Sequence, residues 1–283
     1  MTVESAVTTD IRYGMADLLA VMARLRDPER GCPWDLQQSF ATIAPHTLEE
    51  CYELVDAIER GDHAQIREEL GDVLFQVIFY AQLGREQQLF GFDELVHDLV
   101  AKLLRRHPHV FPAGDLSEGR TDLTVADVGA TWERVKELER SGKQQHGVLD
   151  DVPLALPALS RAAKLQKRAA RVGFDWAHWR QVLDKLREEC GEVEEAVASG
   201  DVTAIAEEIG DLLFVCVNLS RFLDVDPELA LRAANRKFER RFRYIEQALA
   251  GGGRTPSQST LAEMDALWNE AKRREKSGEL PPA

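Results

Sequence analysis

The sequence predicts an all-α protein made of two duplicated helical bundles, and three observations carry that reading. Apolar residues recur at helical spacing, as in Ile205, Ile209, Leu212, Cys216 and Leu219, with no alternating run of β-branched residues to compete. Sliding the chain along itself by 139 positions aligns residues 49–75 with residues 188–214, identical at 14 of 27 positions. Each copy also carries the same break, Gly61-Asp62 and Gly200-Asp201, which reads as a helix stop followed by a new N-cap.

The elements follow in order from this duplication. In the first copy, the helix pair around Gly61-Asp62 leads to a basic helix, KLLRR (102–106), and then to a loop marked by Pro108, Pro112, Gly114 and Gly119. The match resumes at an offset of 135, where residues 102–106 meet KFERR (237–241). At an offset of 136, Trp132 and Lys136 meet Trp268 and Lys272. The drift marks indels in loops between packed elements. Two copies fall short of a solenoid and read as a duplicated domain. Pro153 and Pro157 lie in the connection, which places the boundary near residue 150, with units 1–150 and 151–283. Gly251 to Gly253 suggest a flexible joint, and Thr260-Leu-Ala-Glu263 is a capping box that opens a last helix. That joint predicts a mobile flap, followed by a frayed tail from Lys276 to Ala283. Gly71 and Gly210 sit inside helices at a cost of about 1 kcal/mol against alanine, so close backbone approach is expected there.

Composition narrows the function. The 283 residues suit two domains, each able to bury a core. A net charge of -14 argues against general nucleic-acid binding, which needs a basic field, but leaves room for a small polyanion held by a metal and a few local cations. Cys32, Cys51, Cys190 and Cys216 form no CxxC pair and read as small buried hydrophobes in a reducing compartment. Thr2 to Asp10 is polar and acidic rather than a signal peptide, and the longest apolar stretches are too short for a membrane span. A cytoplasmic protein without membrane contact is expected.

The chemistry lies in paired carboxylates. Glu189-x-x-Glu192 and Glu208-x-x-Asp211 are spaced i, i+3, so each pair projects from one helix face. If the two helices pack antiparallel across the short turn, four carboxylates converge. Such a cluster needs a hard divalent cation, Mg²⁺ or Mn²⁺. The arrangement recurs as Glu50, Glu53, Glu69 and Asp72, a possible degenerate second site. Long uncharged runs follow Asp211 and Asp72, so both aspartates are expected to point into the protein. Lys185 stands one turn before Glu189, Lys237 and Arg241 share a helix face, and Trp268 and Lys272 follow on another helix. Metal, cations and an aromatic plate together describe a nucleotide site, with phosphates on the charges and the base on the ring. No GxxxxGK loop is present to hold the phosphates.

The blocks GCPWD (31–35), TLEECYELVDAIERGD (47–62), EELGDVLFQV (68–77), KLLRRHPHVF (102–111), KLQKRAARVGFDW (164–176), EEIGDLLFVCVNLSR (207–221) and ANRKFERRF (234–242) resemble the MazG family of nucleoside triphosphate pyrophosphohydrolases. The likeness runs from about Met15 to Lys272. It implies an all-α, Mg²⁺-dependent homodimer that cleaves ribo- and deoxyribonucleoside triphosphates to monophosphate and diphosphate. Carried over by position, the metal ligands are Glu189, Glu192, Glu208 and Asp211. The implied nucleotide contacts are Lys185, Leu186, Arg187, Glu188 and Glu189, then Ala204, Ile205, Ala206 and Glu207, then Asp211, Lys237, Arg241 and Trp268, with Lys272 nearby. Glu189 and Glu192 are the candidates to take the proton of the attacking water. The resemblance makes the C-terminal half catalytic and gives the N-terminal half an assembly or regulatory role.

The residues point the same way on the halves, because Lys185 is replaced by His46 in the first copy and Asn235 by Val100. Two rivals stand beside the enzyme. A di-iron carboxylate bundle needs two Glu-x-x-His motifs, and only Glu94-x-x-His97 occurs. A non-catalytic nucleotide-binding regulator would use the same pocket without hydrolysis.

Overall fold

The computed structural model describes residues 12–117 and 147–279, and every regular element among them is helical. The Thr2–Asp10 segment, Gly119, Trp132, Lys136 and the last residues of the expected tail, 280–283, lie outside this range. The chain divides into two compact units, Met1–Glu139 and Arg140–Ala283. In the first, α1 spans Met15–Leu25, α2 Pro33–Leu36, α3 Phe40–Arg60, α4 His63–Glu86 and α5 Phe92–Arg106. In the second, α6 spans Ala158–Arg171, α7 Trp179–Ser199, α8 Val202–Phe222, α9 Pro227–Ala250 and α10 Leu261–Ser277.

Both predicted hairpins form, for the expected reason. Gly61 (φ 68°) and Gly200 (φ 77°) end α3 and α7 in the left-handed region that glycine tolerates. Asp62 then caps α4 by accepting from the Ala64 and Gln65 amides, and Asp201 caps α8 by accepting from Thr203 and Ala204. With so short a turn, α3 must run back along α4 and α7 along α8, and these are the two most intimate helix pairs of the fold. In the first unit a contiguous core of Met22, Ile43, Ile78, Phe79 and Leu83 lies where α1, α3 and α4 meet. Arg26 borders it with its guanidinium over the Phe79 ring at 5.4 Å, bound to Glu86 at 2.6 Å. Glycine is required for close approach at Gly84, where an added Cβ would sit 2.7 Å from the Phe90 carbonyl oxygen.

The second unit departs from several expectations. Its α8 buries only Val217, while Ile209, Leu213 and Phe214 stay exposed, so the apolar face of this helix is partly uncovered in the single chain. Among the described residues nothing lies within 4 Å of a Cβ added at Gly71 or Gly210, so neither marks a close approach there. The cysteines are not buried: Cys51, Cys190 and Cys216 are exposed, Cys32 is half-buried, and none is bonded. The final helix is no loose flap. Thr260 and Glu263 form the predicted capping box, and α10 is docked on α9 through Tyr244, which donates to Glu270 at 2.6 Å, and through the pairing of Arg240 and Arg241 with Glu275. Among the described residues no helix is long and apolar enough to cross a membrane.

Candidate active site

The hairpin turn sets the register that brings the carboxylates together. Glu189 comes from the middle of α7, and Glu208 and Asp211 lie one turn apart on α8. One oxygen of each lies within 4.8 Å of the others. The first unit repeats this with Glu50 on α3 and Glu69 and Asp72 on α4. Three of the four predicted carboxylates therefore converge in each copy, and the fourth, Glu192 or Glu53, stands beside them. The burial pattern inverts the expectation. Glu189 and Glu69 are the buried members, at 4% and 6% exposure, whereas Asp211 and Asp72 are exposed. The uncharged run after Asp72 is core, with Ile78, Phe79 and Leu83 buried, whereas the run after Asp211 leaves Leu213 and Phe214 exposed.

The donor set fits a hard divalent cation. Glu189 Oε2 is buried with no hydrogen-bond partner, a costly arrangement for a carboxylate unless a cation completes it. Oxygen ligands alone suit Mg²⁺ or Mn²⁺ and not a soft metal. No histidine joins either group, and Glu94 and His97 are exposed on α5, so the di-iron reading finds no support among the described residues.

Lys185, predicted to hold phosphate, instead lies among the carboxylates. Its Nζ is 2.7 Å from Glu188, 2.9 Å from Glu189 and 3.8 Å from Glu192. The hydrogen bonds to Glu188 and then Glu189 hold its pKa above the ordinary lysine value. Burial pushes the Glu192 carboxyl up, Lys185 opposes the shift, and the neighbouring Glu189 adds to it. In the first copy the equivalent His46 reaches only Glu49, at 3.6 Å. The Glu50 carboxyl is raised, by burial first and then by the charges of Asp72, Glu53 and Glu69. A further difference escaped the sequence reading. Gln65 donates to Glu69 at 3.2 Å and is itself held by Arg60 at 2.6 Å, so the first cluster already has one carboxylate tied up. The equivalent residue in the second copy is Ala204, which offers no such bond.

The other predicted contacts form a separate group on α9 and α10. Arg241 lies over the Trp268 ring at 5.2 Å, and Phe238 packs against the same ring at 5.4 Å. Both oxygens of Glu275 are engaged, Oε1 by Arg240 and Oε2 by Arg241, each at 2.6 Å. Trp268 is therefore half-buried and already contacted, not a bare plate, and Arg241 is partnered before any ligand arrives. Lys237 and Lys272 are exposed on this pair of helices. Of the remaining positions, Leu186, Ala204 and Ile205 are half-buried, Ala206 and Glu207 are exposed, and Arg187 pairs with Asp184 at 2.5 Å. No hydrogen bond or ion pair joins the α9–α10 group to the carboxylates among the described residues. Sequence reasoning missed Glu275 and Phe238. Glu275 follows Trp268 by two helical turns, a spacing that could have exposed it; Phe238 is Leu103 in the first copy and carried no signal.

Comparison with known proteins agrees with this geometry. The MazG nucleotide pyrophosphohydrolase domain matches the chain twice, over residues 38–111 and 179–245, each match containing one carboxylate group. A nucleoside triphosphate pyrophosphohydrolase of Escherichia coli (strain K12) is 50% identical over 260 residues, covering 91% of this chain and 97% of that protein. A nucleoside triphosphate pyrophosphohydrolase/pyrophosphatase MazG of Thermotoga maritima is 42% identical over 256 residues, covering 90% of this chain and 94% of that protein. A nucleoside triphosphate pyrophosphohydrolase of Mycobacterium tuberculosis is 32% identical over 238 residues, covering 83% of this chain and 59% of that protein. With two family domains, an all-helical fold and a carboxylate group in each copy, this chain belongs to the MazG nucleotide pyrophosphohydrolase family.

Proposed function

We propose that this chain is a Mg²⁺-dependent nucleoside triphosphate pyrophosphohydrolase that releases monophosphate and diphosphate from ribo- and deoxyribonucleoside triphosphates, working mainly through its second unit. The observation that carries the reading is the trio Glu189, Glu208 and Asp211, with one buried carboxylate oxygen left unpartnered beside a lysine. These three, with Glu192 adjoining, would hold Mg²⁺, or Mn²⁺ in its place. Once bound, that ion supplies an acidified water and charge neutralisation at the phosphates. Glu192 or Glu189 accepts the proton of the attacking water. Lys185, Lys237 and Arg241 counter the charge that builds on the departing diphosphate, with Lys272 close by. Trp268 offers a ring edge or face to the base, and such stacking accepts any base.

Three further features belong to the reading. The exposed Ile209, Leu213 and Phe214 on α8, with open space beside Gly210, support a homodimer that covers this face. Four unbonded cysteines suit the cytoplasm. The net charge of -14 favours free nucleotides over nucleic acid. The test is product identity: with ATP and Mg²⁺ the chain should yield AMP and diphosphate. ADP with inorganic phosphate would sink the reading, and nucleotide binding without any turnover would identify a regulator instead.

A further inference from the structure

Two different cations have a claim on the same carboxylates. The Lys185 ammonium is within 3.8 Å of two of them, the buried Glu189 and Glu192, and 2.7 Å from the adjoining Glu188, so it offsets part of this cluster's charge in the chain alone. The ammonium sits on Glu189 Oε1, 2.9 Å away, so a divalent ion held through the unpartnered Oε2 of the same carboxylate would lie close enough to repel it. The lysine chain is long and flexible, and its side chain is 28% exposed, so it can leave. In the first copy no lysine stands at this place, and the equivalent His46 lies 3.6 Å from Glu49, which is outside the carboxylate group.

We propose that Lys185 is an internal counter-ion that occupies the carboxylate cluster until a divalent cation replaces it, and that the released ammonium then becomes a ligand for the nucleotide's phosphates. This rests on the metal and nucleotide reading above. One lysine thereby couples the two binding events: metal entry creates the phosphate ligand, and phosphate binding removes the metal's competitor. By linkage each ligand tightens the other. The second copy is thus a site whose charge stays partly offset until metal and substrate arrive together, whereas the first takes metal without that coupling.

The experiment titrates full-length protein with Mn²⁺, reading free Mn²⁺ by electron paramagnetic resonance, with Asp72→Asn as the parent so that the second cluster is seen alone. Lys185→Met should bind Mn²⁺ about three- to thirtyfold tighter than the parent, since it removes a competing charge at contact distance. Lys185→Gln should do the same, which covers the case that one variant folds poorly, and Lys185→Arg should stay near the parent. At saturating Mn²⁺, a non-hydrolysable triphosphate should bind Lys185→Met roughly 10- to 150-fold more weakly, the loss of one charged hydrogen bond. In an Asp211→Asn parent, His46→Lys should weaken Mn²⁺ binding at the first cluster. Unchanged or weaker Mn²⁺ binding in both neutral variants would overturn the exchange and make Lys185 a residue that organises the carboxylates. If the parent binds Mn²⁺ and turns over ATP, that result removes this inference alone. If the wild-type chain binds no divalent cation, the metal reading falls and takes the inference with it.

Discussion

Glu189→Gln and, separately, Glu50→Gln ask which copy performs the hydrolysis. The two residues occupy equivalent positions, each grouped with two other carboxylates within 4.8 Å. What differs is the surroundings. Glu189 has the Lys185 ammonium at 2.9 Å, while the first copy has His46 in that place, its ring 3.6 Å from Glu49. The first copy also has one oxygen of Glu69 tied to Gln65 at 3.2 Å, which restricts how that ligand can turn toward a metal. A cation hydrogen-bonded to the triphosphate contributes about 1.5–3 kcal/mol to the transition state. That is a rate factor of roughly 10 to 150 in favour of the second copy. Diphosphate release at saturating ATP and Mg²⁺ should therefore fall to about 1–10% of wild type in Glu189→Gln. Glu50→Gln should retain nearly all turnover, and the double variant none. Equal losses in the single variants would refute the argument from the missing cation, and the reverse order would move the chemistry to the first unit.

Other expectations rest on contacts elsewhere in the fold. Glu275→Gln removes the charge shared by Arg240 and Arg241, and should lower stability by about 2 kcal/mol or the melting temperature by roughly 4–8 °C. The Arg241 hydrogen bond, more than any other contact, holds the Glu275 carboxyl below its ordinary range, so its stabilisation is complete above that range and lost as pH falls through the lowered value. The difference between Glu275→Gln and wild type should close in acid; a constant gap would mean the carboxyl's charge is not what holds α10. Phe79→Ala empties the centre of the first unit's core and should cost about 3–5 kcal/mol in urea unfolding, and a loss under 1 kcal/mol would show that the cluster repacks. Leu213→Asp places a charge on the uncovered face of α8 and should turn a dimer into a monomer in sedimentation, whereas an unchanged mass would place the interface elsewhere.

Local chemistry explains what was legible in the sequence. Gly61, Asp62, Gly200 and Asp201 are read correctly because a left-handed stop and a side-chain cap depend on neighbours within three residues. Three of the four predicted carboxylates in each copy come together because i, i+3 spacing and a tight turn fix which side chains can meet. Most of the misses involve partners distant in sequence. Trp268 is held by Phe238, Arg241 by Glu275, and Glu69 by Gln65, and only the last pair lies on one helix. Lys185 shows the limit most sharply. Its place one turn before Glu189 fits a phosphate ligand and an internal counter-ion equally well, and only coordinates show which bonds it makes in the chain alone.

The hydrophobic pattern of α8 carries a related lesson about how far an apolar run can be interpreted. Uncharged residues 212–220 state that water is unwelcome along this helix, but not which surface excludes it. In α4 the answer lies within the chain: Ile78, Phe79 and Leu83 are covered by α1 and α3. In α8 the equivalent stretch leaves Leu213 53% exposed and Phe214 42% exposed. At roughly 25 cal/mol per Å² of apolar surface, a face of that kind is a standing incentive for association. Asp211 lies one turn before Phe214, so whatever covers this face also borders the carboxylates. Removing water beside Asp211 would strengthen its hold on a cation, because the same charges interact more strongly as the effective dielectric falls. Self-association and metal affinity should therefore rise and fall together. Mn²⁺ titration of Leu213→Asp at protein concentrations where wild type is dimeric checks this: the variant should bind more weakly although every ligand is intact. Equal affinity in monomer and dimer would mean that the α8 face and the metal site are independent.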